Sequence, residues 1–446
     1  MTEEERGVTD QSGTVGTDAA PPLTGDVVVE GEDLAPAIVE VPESSGRSVS
    51  GVLKGALEKV RSGQSGLVPI LLGLVALVIF FQTKNSLFLS VGNLSNLLTQ
   101  ASYLVTFGFA EIWVLLLGEI DLSAGYNGAI AGAVVAVLAG IYHRYPWWLA
   151  IICGLAVSTC IGALVGTLVI RLRIPSFIVS LAFLLGLQGV LLKILNFDNY
   201  QGSVSTSSGP LLDLVNGNLS PAAGWILVAI GVGGFAILTV LSDARRRRSG
   251  SEGVPFGVTL FKVLAVAAGG VALALVCNAN RGVIVHLSGI PFCVPIVLGI
   301  LILWQFLLKR TRFGRNIYAI GGNAEAARRA GVNNGMNRLA AFALTGFTAG
   351  AAGILYTSRL GGSSTSVDGG QLVLLAVAAA VIGGVSLFGG RGKMVHALVG
   401  GMIIAIIYNG MGLIGLDAAT QDIVIGLVLL AAVSVEAISR RSAVRA

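Results

Sequence analysis

Three histidines and four cysteines in 446 residues leave little from which to build a metal centre or thiol chemistry. His143, His286 and His396 are scattered, so neither a metal cluster nor a catalytic triad assembles from them. Cys153, Cys160, Cys277 and Cys293 lie in or beside apolar runs without ligand spacing, and read as small hydrophobes. Charge is scarce as well. Charged residues are 12% of the chain against 54% hydrophobic, with a mean hydropathy of +0.83, which excludes a soluble globular domain. Gly389-Gly390-Arg391-Gly392-Lys393 resembles a phosphate loop superficially, but no Ser/Thr follows Gly392-Lys393 and no strand pattern precedes it. No enzyme site, cofactor or metal is therefore assigned to this chain. Nor is a nucleic-acid footprint, because the basic residues behind the +5 net charge fall in short loops between apolar runs.

What fills the chain instead is a series of apolar runs of membrane-crossing length. They are Leu67–Gln82, Leu97–Gly118, Gly125–Tyr142, Trp147–Ile170, Phe177–Leu195, Ala222–Leu241, Gly257–Cys277, Pro291–Leu308, Leu339–Thr357, Gln371–Phe388, Met394–Leu413 and Gln421–Val435. The fold class is an all-α polytopic membrane protein with about twelve transmembrane helices. Asn85, Asn93 and Asn96 are assigned to the first loop, and Tyr142, Tyr145, Trp147 and Trp148 to an interface. Arg171, Arg173, Arg245 to Arg248, Lys309, Arg310, Arg312, Arg315, Arg391, Lys393, Arg440, Arg441 and Arg445 all follow even-numbered spans. The positive-inside rule then places those loops and both termini in the cytoplasm. Lys84, Arg144, Arg281 and Arg359 are exceptions, one to a loop.

Residues 1–65 are acidic, rich in Gly, Pro and Thr, and nearly free of large side chains, so they are expected to form a disordered cytoplasmic tail. They lack the basic, apolar and cleavage regions of a signal peptide. Residues 438–446 form a basic cytoplasmic tail.

Two polar segments stand out between the runs. In the first, Glu119-Ile-Asp-Leu-Ser123, the charges of Glu119 and Asp121 must reach water, a partner or a protein-lined cavity. Asp121 or Ser123 capping the third span is one reading, and a place on the transport path is the other. Pro175 and Ser176 open the fifth span, with Pro175 near the first helical position. The second polar segment is 309–337. Within it Asn323 can cap a two-turn helix, Glu325 sits at its positive end, Ala324, Ala326, Ala327 and Ala330 favour it, Arg328 and Arg329 suit its far end, and Gly331 can end it. A solvated connector and a docking element both fit this grammar. Gly162/Gly166 and Gly346/Gly350 have the spacing of close helix packing.

TRFGRNIYAIGGNAEAARRAGV (311–332), TGFTAGAAGILYTSRL (345–360), AVAAAVIGGVSLFGGRGK (376–393), YNGMGLIGL (408–416), GEIDLSAG (118–125) and IPSFIVSLAFL (174–184) resemble the inner-membrane permeases of ABC importers for monosaccharides, the ribose/xylose/galactose type. The resemblance spans roughly 66–437. Residues 222–277 add a helical pair that the shorter ribose-type members lack, which makes the chain similar to the xylose-type members and xylose or a related sugar the implied substrate. Glu325-Ala326-Ala327 and Gly331 have the E-A-A-x-x-x-G spacing with which such permeases contact their ATPase. The resemblance thus implies that Asn323–Gly331 docks on a separate ATPase subunit, where ATP binds. It also implies a second permease chain, an extracytoplasmic sugar-binding protein and residence in the cytoplasmic membrane. For a neutral sugar, Asn, Ser and Thr on spans two, five, nine and ten are the candidate contacts. An ion-coupled secondary sugar transporter is the alternative, and of the residues singled out only Glu119 and Asp121 offer it a charge.

Overall fold

The structure is a computed structural model that describes residues 68–140, 143–197, 200–206, 208–249, 256–282 and 286–445, with side chains described as far as residue 434. The expectations for residues 1–65 and for Tyr142 lie outside the described residues. All twelve apolar stretches contain a helix: α1 Val68–Lys84, α2 Val91–Leu115, α3 Ala124–Ala139, α4 Trp147–Leu172, α5 Ser176–Leu195, α7 Pro221–Arg248, α8 Phe256–Asn278, α9 Cys293–Arg310, α12 Asn334–Leu360, α13 Gly369–Ile382, α14 Met394–Leu413 and α15 Ala418–Arg445. Among the described residues eight of these are long and apolar enough to cross a membrane; the shorter apolar stretches are Ile70–Lys84, Ala124–Ala139, Gly369–Ile382 and Ala418–Ser434. The short extras are α6 Gly209–Asn216, α10 Arg312–Gly322 and α11 Ala324–Arg329. Two three-residue strands, β1 Ser203–Ser205 and β2 Gly362–Ser364, pair antiparallel, with Val204 opposite Ser363.

The core is built on α2, α3, α12, α13 and α14. Phe107, Phe109, Ile112 and Trp113 on α2 are fully buried, and α13 buries Ala376, Ala378, Ala379 and Ala380. Small residues set the helix spacing. A Cβ on Gly162 of α4 would lie 2.4 Å from the Phe342 carbonyl oxygen, and one on Gly346 of α12 would lie 2.4 Å from that of Ser158. The small-residue spacing is therefore a packing device.

α3 and α13, at 16 and 14 residues, rise only about 24 and 21 Å, short of a hydrocarbon core of about 30 Å. Irregular backbone flanks both helices, and protein surrounds it. Asp121 and Ser123, before α3, and Val385, after α13, are buried.

Three boundaries differ from the sequence reading. Asn93 and Asn96 belong to α2 rather than a loop, since Ser90 caps that helix by accepting the Asn93 N–H. The Arg245–Arg248 run continues α7 as helix. Pro175 sits at the N-cap of α5, with Ser176 as its first residue.

α7 and α8 lie apart from the rest. They pack chiefly on each other, and most of their apolar side chains, Ile230, Leu238, Phe261 and Leu264 among them, are exposed. The chain leaves and rejoins the bundle at one place. Leu219 N–H bonds the Ile290 carbonyl at 2.8 Å and Phe292 N–H bonds the Gly217 carbonyl at 3.0 Å. Arg281 fastens the return, donating to the carbonyls of Cys277 (2.6 Å) and Gly289 (3.0 Å) and to the Asn218 side chain.

Candidate functional site

The polar segment 309–337 folds as two helices. Thr311 caps α10 by accepting the Gly314 N–H at 3.2 Å, and Ile317 and Ile320 on its inner face are buried. α11 then forms where the sequence places it. Asn323 Oδ1 accepts the Ala326 N–H at 2.9 Å. At the far end Gly331 has φ +83°, its N–H bonds the Arg328 carbonyl, and the Val332 N–H bonds the Ala327 carbonyl, both at 3.0 Å. That pair of bonds is a Schellman stop. Glu325 accepts from Arg328 at 2.9 and 3.0 Å and from Arg329 at 3.1 Å, which holds its carboxyl below the usual range. Of residues 324–331 only Ala327 is buried, so α11 offers its remaining surface outward, beside an exposed Met336.

The base of this element is stitched to two motifs far away in sequence. Gly321 packs so closely on the end of α2 that a Cβ there would fall 1.8 Å from the Leu116 carbonyl oxygen. That same oxygen accepts the Gly390 N–H at 2.8 Å, and the Tyr318 hydroxyl donates to the Gly392 carbonyl at 2.6 Å. The glycine-rich stretch rejected as a phosphate loop is thus a packing joint. Arg338, in the first turns of α12, pairs with Glu119. Burial pushes the Glu119 carboxyl above its usual range, and the charge and hydrogen bond of Arg338 oppose the shift.

The 119–123 segment meets the start of α5 through the Ile120 backbone. Ser176 Oγ accepts the Ile120 N–H and Ser180 Oγ donates to the Ile120 carbonyl, each at 3.4 Å. Asp121 is fully buried, and its Oδ1 accepts the Ser123 N–H (3.0 Å) and hydroxyl. That is an Asx turn leading into α3. Ser123 occupies the N-cap without a side-chain capping bond, so neither residue caps α3 in the way the sequence suggests.

The sequence reading missed two further features. Glu111, inside α2, is fully buried, and neither of its carboxyl oxygens has a hydrogen-bond partner among the described residues. At the opposite end of the bundle from α11, three helices converge on a set of tyrosines. The rings of Tyr103 (α2) and Tyr356 (α12) meet edge-on, centroids 4.9 Å apart, and Tyr408 (α14) and Arg359 (α12) lie within electrostatic reach of Tyr356. Arg359 donates to Thr99 Oγ1 and, at 3.0 Å, to Asn96 Oδ1. Its exceptional position outside the basic loops was the one signal available in sequence.

The profile of a family described as branched-chain amino acid transport system / permease component matches residues 93–433. The chain belongs to this permease family. It is 34% identical over 387 residues to the xylose transport system permease protein XylH of Haemophilus influenzae, covering 86% of this chain and 99% of that one. It is 30% identical over 367 residues to the ribose import permease protein RbsC of Escherichia coli, covering 82% and 92%. The D-allose transport system permease protein AlsC of the same organism is 29% identical over 364 residues, covering 81% and 88%. No solved structure matches the chain. This permease is a multi-pass protein of the cytoplasmic membrane and a transport component rather than an enzyme.

Proposed function

We propose that this permease is the membrane subunit of an ATP-driven ABC importer that carries a monosaccharide, xylose or a related sugar, inward by alternating access. The observation that carries the reading is α11: a helix of six residues, capped at both ends, exposed around most of its surface and anchored at its base to the α2–α3 break. A solvated connector requires neither the caps nor the anchorage. In this reading the twelve helices cross the membrane with both termini inside, and Asn323, Glu325, Ala326, Ala327, Arg328 and Gly331 form the contact with the ATPase. Two permease chains pair, two ATPases dock beneath them, and an extracytoplasmic sugar-binding protein delivers substrate. ATP binding closes the ATPase pair, and α11 passes the displacement to the α2–α3 break through Gly321 and Arg338. The names of the relatives support a sugar, with xylose first.

Glu111 favours a second reading, since a carboxyl buried inside a span is the kind of group that ion coupling uses. Uptake of labelled xylose, ribose and leucine by proteoliposomes holding the permease, its ATPase and its binding protein separates these readings. Sugar uptake that follows ATP and ignores a proton gradient is expected. Uptake driven by the gradient without ATP supports the second reading, and leucine uptake alone refutes the sugar.

A further inference from the structure

The polar set formed by the middle of α2 and the C-terminal parts of α12 and α14 lies where an apolar surface is expected. Tyr356 is four residues from the end of α12 and Tyr408 five from the end of α14, so both sit about 6–8 Å inside their helices. Tyr356, Arg359 and Tyr408 are half-buried, whereas Tyr103 and Gln100 behind them are buried. A half-buried guanidinium and half-buried phenols prefer water or a polar ligand to lipid tails. This face therefore turns toward a watered path or a second copy of the chain rather than the bilayer.

Its chemistry selects among ligands. Phenol rings offer flat faces to the C–H side of a pyranose, while their hydroxyls, the Gln100 amide and the Arg359 guanidinium offer donors and acceptors to its hydroxyls. Donation to Asn96 and Thr99 holds Arg359 in place and leaves its other N–H groups to turn toward a ligand. We propose that Tyr356, Tyr408 and Arg359, backed by Gln100 and Tyr103, form a contact site for a neutral monosaccharide at the outer end of the transport path. This rests on the importer reading, and it moves the substrate contacts from the Asn, Ser and Thr of spans two, five, nine and ten to aromatic residues of spans two, nine and eleven.

The test uses the reconstituted importer with labelled xylose and ribose. Tyr356→Phe with Tyr408→Phe removes two oxygen atoms and keeps both rings. Uptake at subsaturating sugar is expected to fall at least tenfold, with the ATPase still retained. Wild-type uptake with an unchanged KM in the double variant overturns the site. If that variant also loses its ATPase, Tyr356→Phe alone decides by the same readout. A wild-type complex that takes up neither sugar overturns the importer reading itself, which the variants do not touch.

Discussion

Arg338 pairs with Glu119 across 219 residues of sequence, joining the helix that follows the polar 309–337 segment to the break between α2 and α3. Glu119 is 11% exposed and Arg338 34%, so the pair falls between two regimes. Exposed pairs contribute about 0–1 kcal/mol, while stripping the partner from a buried charge costs about 3–5 kcal/mol. Because water screens the arginine, Arg338→Gln is expected to destabilise by roughly 1–2 kcal/mol. Thermal unfolding in detergent reads this, and the swap Glu119→Arg with Arg338→Glu should recover part of the loss. An unchanged melting temperature in Arg338→Gln would mean that the pair holds nothing.

Gly321 and Gly322 provide a matched comparison. A Cβ on Gly321 meets the Leu116 carbonyl oxygen at 1.8 Å, whereas one on Gly322 meets nothing within 4 Å. Gly321→Ala must push α10 off the α2–α3 break, so it should lower ATP-driven uptake at least tenfold. Gly322→Ala should transport like the wild type. Equal uptake by the two variants would show that the contact transmits nothing.

Gly331 has open space around it, so a substitution there acts through backbone conformation alone. A β-branched side chain in the left-handed region costs at least about 1 kcal/mol. Glu325→Arg removes the acceptor shared by Arg328 and Arg329 and puts a cation at the positive end of the helix. The double variant Glu325→Arg, Gly331→Val should insert and express normally yet fail to hold its ATPase in co-purification. Wild-type retention would reduce α11 to a connector.

The proposed inward placement of the Arg245–Arg248 end of α7 is open to labelling. A cysteine at Ser249 should resist a membrane-impermeant maleimide in intact cells and react once the cells are opened. Strong labelling before opening would falsify the twelve-span orientation.

Much of this was legible in sequence because apolar runs dominate the chain, and each of them became a helix. The ends of α11 were legible too, since Asn323 and Gly331 act on neighbours within four residues. α10 was missed although Phe313, Ile317 and Ile320 recur at helical spacing, because its charged residues made the whole segment look like a loop. The partner of Glu119 was out of reach for another reason: it lies on a different helix, and pairing of that kind is decided by packing. The tyrosine cluster went unseen because Tyr103, Tyr356 and Tyr408 each count as apolar within their own run. Only the fold brings Tyr103 against Tyr356.

The excursion through α7 and α8 enters and leaves by adjacent residues, Leu219 and Ile290, which hydrogen-bond each other. In the twelve-span reading, two crossings return the chain to the face of the membrane it started from. The detour therefore preserves the orientation of every later helix, and its removal would ask only for a short turn between Asn218 and Pro291. An appendage joined in this way can be gained or lost in one genetic event without inverting the rest of the protein.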